Sequence, residues 1–283
     1  MTVPLPAAAP RRLKDLTPPE VAAHLRADPR LLIPVGTVWA PAPDLPFGAG
    51  TVLVDRLADD LSGAFGVLRA PTVEYGVNPP SRPAGTNPQG SASLRKKTLH
   101  RLLNDLLASW EGCGVAECVL LTAHRYDPHQ EALATVIPAS ARVRVVDVFA
   151  VDLRDLLPYD VLDATGTDLP RRADGPTALA WTASALRAML RHLAPELLRG
   201  ARLRGAGDAS SAEATLGYAA AHARFRERVP VLPERSGRRA GDPLPPPPET
   251  PEQEAERGAR LYARLYARIA DRVLGARAGE AEI

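Results

Sequence analysis

Three short apolar runs constrain the fold of this chain more than any other feature of its sequence. They read RLLIPV at residues 30–35, ECVLLT at 117–122 and ARVRVVD at 141–147. The first run lies between Pro29 and Gly36 and is mostly apolar, which is typical of a strand covered on both faces. Segments with helical patterns separate the runs. The sequence therefore predicts an α/β fold, with a mainly parallel central sheet flanked by helices on both faces.

Capping signals and apolar spacing indicate the helices between these runs. Thr17-Pro18-Pro19-Glu20 combines an N-cap, a proline suited to the first helical position and the glutamate of a capping box. A stripe of leucines at positions 99, 102, 103, 106 and 107 predicts another helix. Further helices are predicted at 52–61, 128–136, 177–193 and 212–226, and residues 68–75 are expected to be extended.

We expect residues 1–283 to form a single domain. The Pro-rich loop at 229–250 is too short to separate two domains securely. An amphipathic helix at 251–275 follows this loop, and we expect it to dock on the rest of the domain. Another long loop, at 76–92, is rich in Pro, Gly, Ser and Asn, and loops of that length are often functional.

Composition narrows the classes of partner and the cellular location. The 35 basic and 33 acidic residues alternate along the chain, so no basic patch predicts nucleic-acid binding. No apolar run approaches the about 20 residues of a membrane-spanning helix, and residues 1–16 lack the apolar core of a signal peptide. We therefore expect a cytoplasmic protein without membrane association. Cys113 and Cys118 are expected to be free thiols.

The segments after two of the strands carry the main functional signal. Ligands of parallel sheets bind at the carboxyl ends of strands, which here lead into IPVGTVWAPAPDLPFGAGTVLVDRL at 33–57 and LLTAHRYDPHQEAL at 120–133. Both segments resemble motifs of the creatininase-type amidohydrolases, which have the forms GSxExHGPHLPLGTD and NGHGGN. The residues that fall at the family spacing are Pro34-Val35-Gly36-Thr37, Pro43, Leu45-Pro46, Gly48 and Ala123-His124.

Shorter matches extend this resemblance to about residues 12–275. They are Glu74-Tyr75-Gly76 with Gly85-Thr86, Asp174-Gly175, Gly241-Asp242-Pro243, and Glu256-Arg257-Gly258. The resemblance implies a creatininase-like three-layer sandwich. It also implies a family whose members typically cleave amide bonds with two divalent metals, held by carboxylates and imidazoles.

The ligands of such a metal site are missing at nearly every matching position. In the first motif, Trp39 and Gly50 stand at acidic positions, whereas Pro41 and Asp44 stand at histidine positions. Arg125-Tyr126-Asp127 replaces the Gly-Gly-Asn that follows the histidine of the second motif. In a later motif the histidine and two glutamates are replaced by Pro176, Leu179 and Trp181. Only His124 survives, so we expect no metal site and no other cofactor.

This loss favours a non-catalytic pseudoenzyme or accessory subunit that supports a partner enzyme in a biosynthetic pathway. The resemblance implies a homo-oligomer, such as a hexamer, or a hetero-complex with that enzyme. An alternative is a metal-independent enzyme for amide or lactam hydrolysis, formation or cyclisation, with His124 as acid or base beside Asp44 or Asp127. Small-molecule binding without catalysis is a third hypothesis.

The candidate site follows from these hypotheses. Its catalytic candidates are His124, Asp44 and Asp127. Its expected pocket-lining residues are Trp39, Glu74, Tyr75, Tyr126, His129 and Trp181. The two indoles either fill the former metal cavity or line a new apolar pocket, and His124 either acts as a base or hydrogen-bonds the backbone. A single metal held by Asp44, Asp55, His124, Asp127 and His129 is a further alternative.

Overall fold

The computed structural model describes residues 9–40, 45–78, 90–149, 176–198 and 249–275. Within them, four strands form one sheet in the order β2-β1-β3-β4, and every neighbouring pair is parallel. The strands are β1 (Arg30–Val35), β2 (Leu68–Arg69), β3 (Glu117–Thr122) and β4 (Arg142–Asp147). The predicted helix at 212–226, most of the Pro-rich loop and most of the loop at 76–92 lie outside the described residues.

Six α-helices accompany the sheet in the described residues. They are α1 (Pro18–Ala27), α2 (Ala49–Phe65), α3 (Lys96–Gly112), α4 (Asp127–Ala134), α5 (Pro176–Leu193) and α6 (Pro251–Ile269), and α6 continues as a π-helix over Ala270–Leu274. Two 3-10 turns lie at Leu13–Asp15 and Pro195–Leu197. None of these helices is long and apolar enough to cross a bilayer.

The helices form a layer on each face of the sheet. Leu31 and Ile33 of β1 join the apolar cluster that contains residues of α1, α3 and α4, whereas Leu32 joins the cluster of α2, α5 and α6. Successive side chains of a strand point to opposite faces, so a strand buried on both sides must be apolar along its length. The predicted α/β fold, a mainly parallel sheet flanked by helices on both faces, is confirmed.

Two elements are smaller in the structure than the sequence predicts: the extended segment at 68–75 and the buried leucine stripe of α3. Of residues 68–75, only Leu68–Arg69 pair as a strand, and Val73 returns as an isolated bridge to Val35. On α3, the buried leucines are Leu99, Leu103 and Leu107, whereas Leu102 is 39% exposed. Residues four apart share one face of a helix, so the adjacent leucines of the stripe turn away from the core.

Three of the four strands, β1, β3 and β4, end level with one another at one edge of the sheet. In the register of the sheet, Val35 pairs with Thr122, and Thr122 pairs with Asp147. The loops that follow these residues therefore start side by side. We call this side of the sheet, with the loops that leave it, the carboxyl edge.

The opposite edge anchors the end of α6. Arg30 donates from its guanidinium to the carbonyl oxygen of Leu274 at 3.0 Å, and Arg144 donates to that of Val273 at 2.8 Å. The last carbonyls of a helix lack hydrogen-bond donors within the helix and carry partial negative charge. The arginines supply both the donors and a positive charge.

Candidate functional site

Most of the buried polar residues in the described segments lie at the carboxyl edge. They are Thr37, Asn78, Thr122, His124, His129, Gln130 and Asp147. Burying polar groups is costly unless they are hydrogen-bonded, and such concentrations mark candidate functional sites. The chemistry available here depends on what each group already binds.

Two glycines allow the loops of this edge to approach each other. A Cβ on Gly36 would lie 2.7 Å from Cβ of Thr51, and a Cβ on Gly76 would lie 2.5 Å from Cγ2 of Thr37 and 2.6 Å from Cε1 of His129. Real Cβ atoms do not pack at these distances, so both positions need glycine. Thr51 Oγ1 also accepts a hydrogen bond from the Thr37 N–H at 3.1 Å, which fixes the loop after β1 to the start of α2.

Both imidazoles of the site bind the backbone of one residue, Val77. His124 Nε2 lies 3.0 Å from the carbonyl oxygen of Val77, and His129 Nδ1 lies 3.2 Å from its nitrogen. A carbonyl can only accept, so His124 Nε2 carries a proton and donates it. An amide N–H can only donate, so His129 Nδ1 is the acceptor. The two histidines therefore clamp residue 77 to the loop after β3 and to α4.

The proton of His129 follows from this arrangement. Burial lowers the pKa of His129 well below its usual value of 6.5, and the nearby His124 lowers it further, so the ring is neutral. Its proton is then on Nε2, which donates to Thr122 Oγ1 at 3.1 Å. Although the spacing resembles that of a hydroxyl nucleophile and its base, the imidazole is the donor. This pair cannot activate the Thr122 hydroxyl.

Asp147 is a buried carboxylate of the site that the sequence did not single out. It accepts hydrogen bonds from the Gln130 amide at 2.8 Å and from the Phe149 N–H at 2.9 Å, and Arg125 Nε lies 3.3 Å away. These donors offset the cost of burying its charge. Its position as the last residue of a predicted strand was the available signal.

Aromatic rings surround His124. The Trp39 ring lies 5.2 Å from it, edge to face, the His129 ring 5.0 Å from it and the Tyr126 ring 6.2 Å from it, between centroids. Burial, followed by the charge of Asp127, raises the pKa of the Tyr126 phenol, which therefore stays protonated at neutral pH. Side chains thus pack closely around the surviving histidine.

The structure brings together four of the residues expected in the site: Trp39, His124, Tyr126 and His129. Asp127 begins α4 next to this group. Glu74 and Tyr75 are exposed, beside Gly76. Asp44 lies outside the described residues, and Trp181 lies in α5 with its side chain outside the described part of the chain.

The described residues of the site do not fit a two-metal centre. Nowhere in the described part of the chain do three His, Cys, Asp or Glu side chains come together as metal ligands. His124 Nε2 is protonated, and a coordinating nitrogen needs its lone pair, so only Nδ1 of this ring is available to a metal. Gly50 offers no ligand, although a Cβ there would meet only Cβ of Ala123, at 3.6 Å.

Comparisons with known proteins agree on one family. The model of the creatinine amidohydrolase family, named Creatininase, matches residues 14–273. A mutant creatininase solved with creatine is similar in structure, with a TM-score of 0.56, 17% identity and coverage of 94% of this chain and 98% of that one. A creatinine amidohydrolase has a TM-score of 0.55, 18% identity and coverage of 93% and 96%.

A third solved structure is also similar to this chain. The putative creatinine amidohydrolase from Bacteroides fragilis has a TM-score of 0.52 with 16% identity, covering 92% of this chain and 90% of its own. No curated protein matches the sequence significantly. At these identities the solved structures show a common fold, and residues 14–273 carry the relationship by sequence.

Proposed function

Because the chain belongs to the creatinine amidohydrolase family, we propose that it is a non-catalytic member, an accessory subunit that supports a partner enzyme in a biosynthetic pathway. One observation carries the proposal: the part of the chain that the structure describes holds no group of three His, Cys, Asp or Glu side chains placed to bind a metal, and the surviving family histidine, His124, has its Nε2 proton engaged by the carbonyl of Val77. In this state the nitrogen is a structural donor rather than a ligand. The proposal assigns the protein neither a metal site nor any other cofactor.

The pattern of what the sequence keeps supports this function. Gly36, Gly76 and Gly258 all match family positions, and at each of them a Cβ would overlap a neighbouring atom. Gly50 replaces a family acid at a position where a Cβ has room. Residues that the fold requires are therefore kept, while residues that a metal requires are replaced. A protein selected for its shape and its interfaces would show this pattern.

The partner is an intact enzyme of the pathway or further copies of this chain. A homo-oligomer, such as a hexamer, and a hetero-complex both fit an accessory role. We propose the cytoplasm as the place where the protein performs it. We expect the protein to co-purify with the products of neighbouring biosynthetic genes when they are expressed together.

Elemental analysis tests the loss of metals directly. The full chain is expressed in medium supplemented with zinc and manganese, purified without chelator and analysed by inductively coupled plasma mass spectrometry. We expect less than one divalent ion per chain, and no change in content for His124→Gln. Two ions per chain, lost in that variant, would show that the metal site is present and would refute the proposal.

A metal-independent enzyme is the second candidate, favoured by the concentration of buried polar groups at the carboxyl edge. It would use His124 as acid or base with Asp127 or Asp44, on an amide or lactam. His124→Ala would then abolish product formation by the pathway, whereas the matched variant His100→Ala, which removes the imidazole that bonds the Thr135 carbonyl at 2.9 Å, would not. Unchanged product formation with both variants would exclude the metal-independent enzyme and favour the accessory role.

A further inference from the structure

The start of α3 carries positive charge that the described part of the chain does not compensate. No Asp or Glu lies between Glu74 and Asp105, and that stretch contains five arginines and lysines. Four of these lie at the start of α3 and are exposed: Arg95, Lys96, Lys97 and Arg101. Lys96 pairs with Glu131 at 2.7 Å, whereas the other three have no acidic partner among the described residues. We call Arg95, Lys97 and Arg101 the basic patch.

The charges of the basic patch do not stabilise the helix that carries them. The first turn of a helix has partial positive charge and the last turn has partial negative charge, so cations stabilise a helix at its end rather than at its start. In α3 the first turn contains no acidic residue, and the last turn contains no basic one. Positions that break such a local rule without a gain in stability are expected at functional sites. The patch therefore indicates a role in binding.

Two exposed apolar side chains accompany the basic patch. Tyr75 is 51% exposed and Ile137 is 76% exposed. The Leu94 N–H donates to the carbonyl oxygen of Gly76 at 2.8 Å, which holds the residue after Tyr75 against the start of α3. The Ile137 N–H donates to Asn104 Oδ1 at 2.9 Å, one helical turn beyond the patch. The two apolar residues thus lie near the two ends of the patch, and tyrosine and arginine are enriched among the residues that dominate protein interfaces.

An acidic protein fits this surface better than a nucleic acid does. Proteins that bind a nucleic-acid backbone make many phosphate contacts, on the order of 6–10, and the patch offers fewer cations. Two exposed acids, Asp105 and Glu131, border it and would repel phosphates. A protein partner would also bury Tyr75 and Ile137, which is favourable for apolar surface.

From this arrangement, we propose that the basic patch, together with Tyr75 and Ile137, binds an acidic segment of the partner enzyme in which carboxylates lie next to apolar side chains. The inference names the chemistry of the partner and rests on the accessory function proposed above. Complementary charge would speed the encounter and orient the two proteins, and salt would weaken it. Failure of this surface would leave the metal analysis unchanged, whereas two bound metals would refute the accessory function whatever binds here.

Peptides that differ only in charge test the surface. A short helical peptide with glutamates at i and i+4 between leucines is titrated into the 15N-labelled full chain at physiological ionic strength. The comparison peptide has glutamine in place of glutamate, and backbone resonances are followed by NMR. We expect saturable shifts at residues 95–101, Tyr75 and Ile137 with the glutamate peptide and several-fold weaker binding of the glutamine peptide. Added salt should weaken the binding of the glutamate peptide only.

Matched variants separate the patch from charge in general. Lys97→Gln combined with Arg101→Gln should weaken binding of the glutamate peptide several-fold, whereas Arg26→Gln, at an exposed arginine near the end of α1, should not. If the double variant does not fold, the comparison of the two peptides on the wild type still decides.

Four results would overturn the proposal. They are equal binding of the two peptides, the absence of a saturable shift, tighter binding of a DNA oligonucleotide at the same residues, and a smaller mass in solution for the double variant than for the wild type. The last result would show that the surface joins copies of this chain instead of binding a different protein.

Discussion

The packing of α6 on α5 is so close at Gly258 that adding a single Cβ atom there should lower the stability of the protein. A Cβ on Gly258 would lie 2.9 Å from the Met189 nitrogen and closer still to the Ala188 carbonyl, both of them backbone atoms of α5. Backbone cannot move aside as a side chain can. We therefore predict that Gly258→Ala forces the two helices apart and destabilises the protein.

Gly50 is a matched control for the free-energy cost of the overlap at Gly258. Gly50 also lies in a helix, and its Cβ would meet only Cβ of Ala123 at 3.6 Å, an ordinary contact. Replacing a helical glycine by alanine adds about 0.5–1 kcal/mol of stability when there is room. Overpacking costs about 1–3 kcal/mol. Gly50 lies in the first turn of α2 and gains less helix propensity than Gly258 in the interior of α6. The overlap still makes Gly258→Ala less stable than Gly50→Ala, by up to roughly 1–3 kcal/mol.

Urea denaturation followed by far-UV circular dichroism measures this difference, provided that both variants unfold with the slope of the wild type. We expect Gly50→Ala to equal or exceed the wild type in unfolding free energy and Gly258→Ala to fall below it. Equal stability of the two variants would refute the close approach of the helices. A loss of stability in Gly50→Ala alone would refute the space assigned beside Ala123.

Two further predictions concern titratable groups away from the site. The Glu111 carboxylate accepts hydrogen bonds from the N–H groups of residues 139–141, and these bonds lower the pKa of Glu111. The stability that the bonds contribute is therefore fully present above the pKa that Glu111 has in the unfolded chain. It is lost as the pH falls through the lower pKa that Glu111 has in the folded protein. Glu111→Gln should therefore flatten the acid-side fall in unfolding free energy, and parallel pH curves would contradict this. Burial raises the pKa of the Cys118 thiol to about 12, whereas Cys113 is exposed. At pH 8, dithionitrobenzoate should modify one thiol quickly and the second only in denaturant; two equal rates would contradict the burial.

Strands and helices could be predicted because their signals are local. The apolar run at 30–35 is buried along its whole length, and Glu20 accepts hydrogen bonds from the N–H and hydroxyl of Thr17, in keeping with a capping box. The narrower apolar face of α3 could not be read from composition, because it depends on which neighbours cover each turn. Leu102 is as apolar as Leu103 but faces outward.

The sequence could predict where the candidate site lies, but only part of the contacts between its residues. Trp39 and His124 come together because each follows a strand that ends at the same edge. Val77, which binds both imidazoles, could not be predicted, since its contribution is a backbone N–H and carbonyl that every residue except proline possesses. The role of Asp147 depended on the register of β3 and β4, which no single segment encodes.

The arginine contacts at the end of α6 have a consequence for how the chain folds. Arg30 and Leu274, which they join, are 244 positions apart in sequence. Contacts of such separation require closure of a very long loop, and this slows folding and leaves apolar surface exposed in the meantime. During synthesis, β1 emerges long before α6. The face of the sheet that α6 helps to cover therefore stays exposed until most of the chain has been made. That face is where we expect a folding chaperone to bind the nascent protein.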